Sequence, residues 1–239
     1  MISHHTNIKM TSQDIEVVVA RWNEDVSWLE PLAPHVILYN KGDKLDGNKY
    51  KRVVQLANVG RESYSYLYHI VENYDTLAPI TVFTQARIDD HVHNHISEGN
   101  GWTNEQGCKF VLELAKQAAV YGQSQNAHPH EELGALSAVP TFNLSAYYQA
   151  GLTPTQYPNL GEWYKAMTSG NSKIPTKGTP WYRNALFAVR RERIRQHPLS
   201  FYKAFLKQVD QIVNPEAAHY FERTWFLIFS AQTRTTPLL

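Results

Sequence analysis

The sequence predicts an α/β fold with a mostly parallel central sheet flanked by helices. Three observations predict it. Four short runs, IEVVVA (15–20), HVILYN (35–40), KRVVQLA (51–57) and PITVFTQA (79–86), have the length and β-branched content of buried strands. Segments with helical spacing of apolar residues lie between and after them, the alternation that parallel strands joined by crossovers require. All four runs are followed directly by a polar or charged residue, and in an open α/β sheet ligands bind outside the carboxyl ends of the strands.

Residues 1–14 read as a loose polar tail. After the first strand, DVSWLEPL predicts a short helix that Pro31 and Pro34 stop. The second strand leads into KGDKLDGNK, a loop with two glycines, and then the third strand and NVGRE. ESYSYLYHIVENY (62–74) has helical spacing and precedes the fourth strand; a further helix is expected over 105–121. From about 123 to 183 the chain is richer in Pro, Gly, Ser, Asn and Tyr, and regular structure is harder to read there. RNALFAVRRERIRQH begins as a strand and becomes a helix, LSFYKAFLKQVDQIV is an amphipathic helix, and PEAAHYFERTWFLIFS is the last helix. One domain is expected over 15–229, in two halves meeting at 122/123, with 230–239 a C-terminal tail.

Lys and Arg number 23 against 22 Asp and Glu, so no global basic field exists to attract nucleic acid or a membrane. An anionic ligand must be held by a local cluster. Cys108 is the single cysteine, which excludes an intrachain disulfide and a Cys-based zinc site. It lies in CKFVLELAKQAAVY, a helical pattern, and is expected to be a buried structural thiol. No run approaches the roughly 18–20 apolar residues of a membrane span. The start lacks the apolar core of a signal peptide, so a soluble, cytoplasmic protein with no transmembrane segment is expected. The dinucleotide, Walker and nucleophile-elbow glycine motifs are all absent.

The strand ends carry the candidate chemistry. Strand one ends at Arg21, Asn23, Glu24 and Asp25; strand two at Tyr39, Asn40, Lys41 and Gly42; strand three at Asn58, Gly60, Arg61 and Glu62; strand four at Gln85, Arg87, Asp89, Asp90 and His91. In NVGRE, Gly60 permits close backbone approach and Arg61 offers a forked phosphate donor. The alternative is a helix start capped by Asn58 or Ser63, with Arg61 in a surface ion pair. In RIDDHVHNH, Asp89, Asp90 and His91 offer ligands that suit Mn²⁺ or Mg²⁺ beside a nucleotide phosphate. Alternation of His91, His93 and His95 also allows a three-His zinc site, whereas a solvated loop is the better expectation for His93 and His95. HPHEE (128–132) is best explained as a plain loop. Glu222 sits on an aromatic helix, where an unpaired carboxylate would have a raised pKa and act as a general base. An ion pair with Arg223, or with a basic residue of VRRERIR, is the expectation it must displace. Trp163, Tyr164, Trp181, Tyr182 and Trp225 could stack on a sugar ring, but at helical spacing such residues are more often core.

VVARWNEDVSWL, LYNKG, NVGRESYSYLYHIVENYD, VFTQARIDDH, FAVRRERIRQHPLSFY and FERTWFLIF, spread from residue 17 to 229, together resemble the DUF3431 family. A more distant resemblance is to glycosyltransferases of the GT-A, Rossmann-related architecture. It rests on the order of strand-NED, strand-YNKG, N-x-G-R-E with a helix, and a strand followed by acidic residues. That resemblance implies a donor half over 15–122 and an acceptor half over 123–229. It implies that Arg21, Asn23, Glu24 and Asp25, with Asn40 and Lys41, lie near a nucleotide, and that Asn58, Gly60 and Arg61 line the sugar-nucleotide pocket. Asp89, Asp90 and His91 would stand near a divalent metal and the diphosphate. The acidic pair comes a few residues later than the family's D-x-D, after FTQAR, so Gln85 or Arg87 could share the phosphate work. Glu222 and Asp90 are the catalytic candidates. The implied activity is transfer of a sugar from a nucleotide-diphosphate sugar to a glycan or other hydroxyl acceptor. The alternatives are a metal-dependent hydrolase using the Asp/His cluster at 89–95 and a non-catalytic glycan-binding protein.

Overall fold

A computed structural model describes residues 14–88, 104–129, 151–168 and 180–230. The strands are β1 (Ile15–Arg21), β2 (Val36–Asn40), β3 (Arg52–Gln55), β4 (Ile80–Gln85), β5 (His128–Pro129), β6 (Pro180–Trp181) and β7 (Phe187–Arg190). The helices are α1 (Arg61–Glu72), α2 (Asn104–Tyr121), α3 (Leu160–Met167), α4 (Arg191–Ile194), α5 (Leu199–Leu206) and α6 (Glu216–Phe229). The chain divides into two interleaved units. The first comprises the described residues up to Leu56 with Asp75–Asn126 and Leu186–Arg191; the second comprises Ala57–Tyr74, Ala127–Ala185 and the described residues from Glu192 onward.

The first unit is built on a sheet in the order β3-β2-β1-β4-β7. β1, β2, β3 and β4 are mutually parallel, with Val17 opposite Val36, Ile37 opposite Arg52 and Ile15 opposite Ile80. β7 closes the edge antiparallel to β4, with Phe83 opposite Phe187. Val17, Val18 and Val19 are all fully buried, as a strand covered on both faces requires. One core joins Val17, Val19, Leu38 and Val82 of the sheet to Leu29 and to Leu114 and Ala118 of α2. Cys108 is buried there, its thiol donating to Trp28 O at 3.1 Å, and burial pushes its pKa up. It is the structural thiol its sequence context implies.

DVSWLEPL does not stop at its prolines. A 3-10 segment runs from Ser27 to His35 with Pro31 and Pro34 inside it. Proline's locked φ of about −65° lies within the 3-10 range, so the prolines tighten the run rather than end it.

The second unit is helical with an aromatic centre. Trp163 packs against Phe205, Tyr220 and Phe221, and Phe221 stacks on Trp225. α3 falls in the stretch whose composition makes regular structure hard to read, although Asn159 and Glu162 carry a cap signature. The Asn159 side chain accepts the Glu162 N–H at 2.9 Å. LSFYKAFLKQVDQIV is helical only to Leu206. Beyond it Gln208 and Val209 N–H groups turn back onto the carbonyls of Phe205 and Leu206, and Ile212 O accepts the Gly60 N–H at 2.7 Å. No helix of the described residues is long and apolar enough to cross a membrane.

His219 of α6 is buried, with Nε2 3.1 Å from Asn214 Oδ1. Burial, then the Arg61 and Arg223 charges, lower its pKa from 6.5 to about 3. Between those values the unfolded chain binds the proton and the native chain does not, so stability falls as pH falls. This group alone is expected to make the protein about 2 kcal/mol less stable at about pH 5 than above pH 7. Urea titrations across that range check it, and His219→Gln is expected to flatten the slope.

Candidate functional site

From β1 the chain steps outward to β2 and β3, then crosses back to place β4 on the other side of β1. β1 and β4 therefore flank the topological switch point, where open α/β sheets form a crevice outside their carboxyl ends. The ladder continues one residue past that edge: Lys41 N–H donates to Arg21 O, and Ala86 N–H to Ala20 O, both at 2.8 Å.

At this edge Arg21 and Asn40 join the loops after β1 and β2 to β3. The Arg21 guanidinium donates through Nε to Glu24 O at 2.9 Å and through Nη1 to Trp22 O at 2.9 Å and Asn40 Oδ1 at 2.6 Å. Asn40 is fully buried, and its Nδ2 donates to Asp43 O and Gln55 Oε1, both at 2.8 Å. Gln55 Nε2 in turn donates to Gly42 O at 3.0 Å. Asn23 Oδ1 accepts the Asp43 N–H at 2.7 Å, and Glu24 Oε2 accepts the Trp22 N–H at 2.7 Å. Asp25 receives the Ser27 hydroxyl and backbone N–H, which lower its pKa. Gly42 passes so close that a Cβ there would lie 2.1 Å from both Trp22 O and Asn23 Oδ1. Arg21, Asn23, Glu24, Asp25 and Asn40 thus all shape these loops. Together they hold the Arg21 cation in place and tie the loops where β1, β2 and β3 end. Lys41 is buried beside them, Gln85 ends β4 half-buried, and Arg87 is exposed one residue beyond Ala86.

Three residues of this edge were not singled out from the sequence. Gln55 sits inside the β3 pattern, and only its register opposite Asn40 reveals its role. Trp22 is 55% exposed, an apolar ring inside a charged run. Asp43 lies in the glycine loop, where an acidic residue carries no periodic signal.

Asn58, Gly60, Arg61 and Glu222 belong to the second unit. Gly60 does permit close approach, but to the chain itself: φ is 62° and a Cβ would lie 2.2 Å from Val209 O. Gly60 is also the N-cap of α1. Neither Asn58 nor Ser63 caps it: no side chain does, and the Ser63 hydroxyl instead donates to Ala218 O at 3.2 Å. Arg61 is paired with Glu62 at 3.7 Å, the ion-pair alternative. Glu222 likewise pairs with Arg223 at 3.1 Å, and its other oxygen accepts the Asn184 N–H at 2.9 Å. Asn184 and Ala185 are both left-handed, with φ of 60° and 54°, so Glu222 clamps a strained turn. Trp163, Tyr164, Trp181, Tyr182 and Trp225 are all buried, which makes the aromatic stripe core. Asp89, Asp90, His91, His93 and His95 lie outside the described residues, as do the last three residues of HPHEE. Among the described residues no group of three or more His, Cys, Asp or Glu is placed to hold a metal.

Asn40→Ala is expected to cost about 1–2 kcal/mol, because it removes the hydrogen bonds that tie Arg21, Asp43 and Gln55 together at partly exposed positions. Urea denaturation checks the magnitude, and limited proteolysis at 41–50 is expected to speed up. Gly60→Ala combines a disfavoured φ with a backbone clash and is expected to cost about 2–4 kcal/mol in the same assay.

A family model described as "Protein of unknown function (DUF3431)" matches residues 17–238. No curated protein matches the chain. The match begins in β1, takes in the strand ends and their loops, and continues past α6, so this chain belongs to the DUF3431 family.

Proposed function

We propose that the protein is a glycosyltransferase that takes a nucleotide-diphosphate sugar as donor and a glycan or other hydroxyl as acceptor. The observation that carries this reading is the polar, arginine-centred edge where β1, β2 and β3 end, beside the β1/β4 switch point. A parallel sheet in the order 3-2-1-4 offers a crevice at that point, and the neighbouring loops are tied together by the protein's own hydrogen bonds. In this reading the acceptor oxygen attacks the anomeric carbon, the bond to the diphosphate oxygen breaks, and the acceptor proton passes to a carboxylate. Arg87 and Gln85 at the β4 end meet the negative charge that builds on the leaving diphosphate. Asp89, Asp90 and His91 have the donor chemistry to hold Mn²⁺ or Mg²⁺, which would neutralise diphosphate charge when bound.

A non-catalytic glycan-binding role is the second reading. One observation favours it: both carboxylate oxygens of Glu222 are committed to Arg223 and Asn184. To act as base, Glu222 must surrender one of those partners to an acceptor hydroxyl.

A thermal-shift screen with UDP, GDP and their common sugars, each with and without Mn²⁺, tests the first reading. Ligand at about a hundred times its Kd adds about 2.7 kcal/mol to stability and raises Tm by several degrees. One nucleotide class is expected to do so; no shift with any nucleotide, with or without Mn²⁺, removes the transferase reading. Glu222→Gln is expected to leave nucleotide affinity unchanged and cut turnover by roughly 100-fold or more if Glu222 is the base. Glycan binding without turnover by the wild-type protein favours the second reading.

A further inference from the structure

We infer that Trp22 and Asp43 form a nucleoside subsite at the β1/β2 end of this edge, the indole stacking on the base and the carboxylate taking the ribose hydroxyls. The inference rests on the transferase reading and names how its donor is recognised.

The two side chains stand out because their backbones are held while they themselves are not used. Trp22 N–H donates to Glu24 Oε2 at 2.7 Å and Trp22 O accepts from Arg21 at 2.9 Å. Asp43 N–H donates to Asn23 Oδ1 at 2.7 Å and Asp43 O accepts from Asn40 at 2.8 Å. Gly42 packs its backbone directly against Trp22 and Asn23, which brings the two segments together. Yet the indole is 55% exposed, whereas Trp28, Trp163, Trp181 and Trp225 are buried or half-buried. The Asp43 carboxylate makes no hydrogen bond or ion pair among the described residues. A large ring left in water on an immobilised backbone contributes nothing to the core, but it loses little freedom when a flat partner arrives.

The chemistry of the pair selects the ligand. An indole face stacks on any nucleobase. A carboxylate accepts hydrogen bonds from vicinal hydroxyls and repels phosphate, and an acidic side chain beyond β2 is where dinucleotide-binding sheets read the ribose. The nucleoside therefore lies over the β1/β2 end, and its diphosphate points toward β4, where Arg87 is exposed.

Isothermal titration with UDP, GDP, ADP and CDP tests this on the wild-type chain, Trp22→Ala, Trp22→Phe and Asp43→Asn. Trp22→Ala is expected to weaken the best nucleotide by roughly 10- to 100-fold, with Trp22→Phe recovering most of the loss. Asp43→Asn is expected to weaken the ribonucleotide and erase any preference over its 2′-deoxy form. Both positions are exposed, so Tm without ligand is expected to stay unchanged. Wild-type affinity in both Trp22→Ala and Asp43→Asn overturns the subsite and leaves the transferase reading standing. Absence of any nucleotide binding to the wild-type chain overturns both together.

Discussion

The hydrogen bond from the Arg21 guanidinium to the buried Asn40 amide is the constraint on which the candidate edge depends. Asn40 is fully buried at the end of β2, so every polar atom of its amide must find a partner in protein. Its oxygen takes Arg21, and its nitrogen takes Asp43 O and Gln55 Oε1. Once those partners are set, the loops after β1 and β2 have little freedom left, and Gly42 is the residue small enough to let them close. Of the charged run after β1, Arg21 meets this requirement, while Asn23, Glu24 and Asp25 bond neighbouring loop groups.

That accounts for a polar strand end without a ligand, and it narrows where a ligand could act. Groups already bonded to backbone carbonyls give shape and a fixed field. The groups that remain for recognition are those the network positions but does not use. The second unit follows the same logic. Glu222 looks like an isolated carboxylate on an aromatic helix, yet Arg223 and the Asn184 N–H hold it, because a carboxylate at a mostly buried position is stable there when its lone pairs are met. Gly60 serves a close approach of the chain to itself.

How much was legible varied with the range of the interaction. β1, β2, β4, α2 and α6 fall within a residue or two of their expected limits, because each carries a strong local pattern over its whole length. β3 is shorter than expected and α5 stops at Leu206. In both, the pattern runs on while hydrogen bonding does not. The sequence reads Pro31 and Pro34 as a helix stop, whereas the chain runs through them as a 3-10 segment, because proline's effect on a helix depends on which helix is available. α3 was missed in a region of mixed composition, although its Asn159 cap could have been found.

By itself the sequence determined the α/β class, the core strands, the buried thiol and the family. These follow from side-chain periodicity and from motifs that need no partner distant in the chain. Only the tertiary structure decided the roles of the polar residues. It paired Arg21 with Asn40, Glu222 with Asn184 and Gly60 with Ile212, contacts between residues far apart in sequence whose geometry no local pattern encodes. It also left the large Trp22 ring, in the same run, 55% exposed. Whether a residue is spent on the fold or left for a ligand depends on what surrounds it in space, and packing alone settles that.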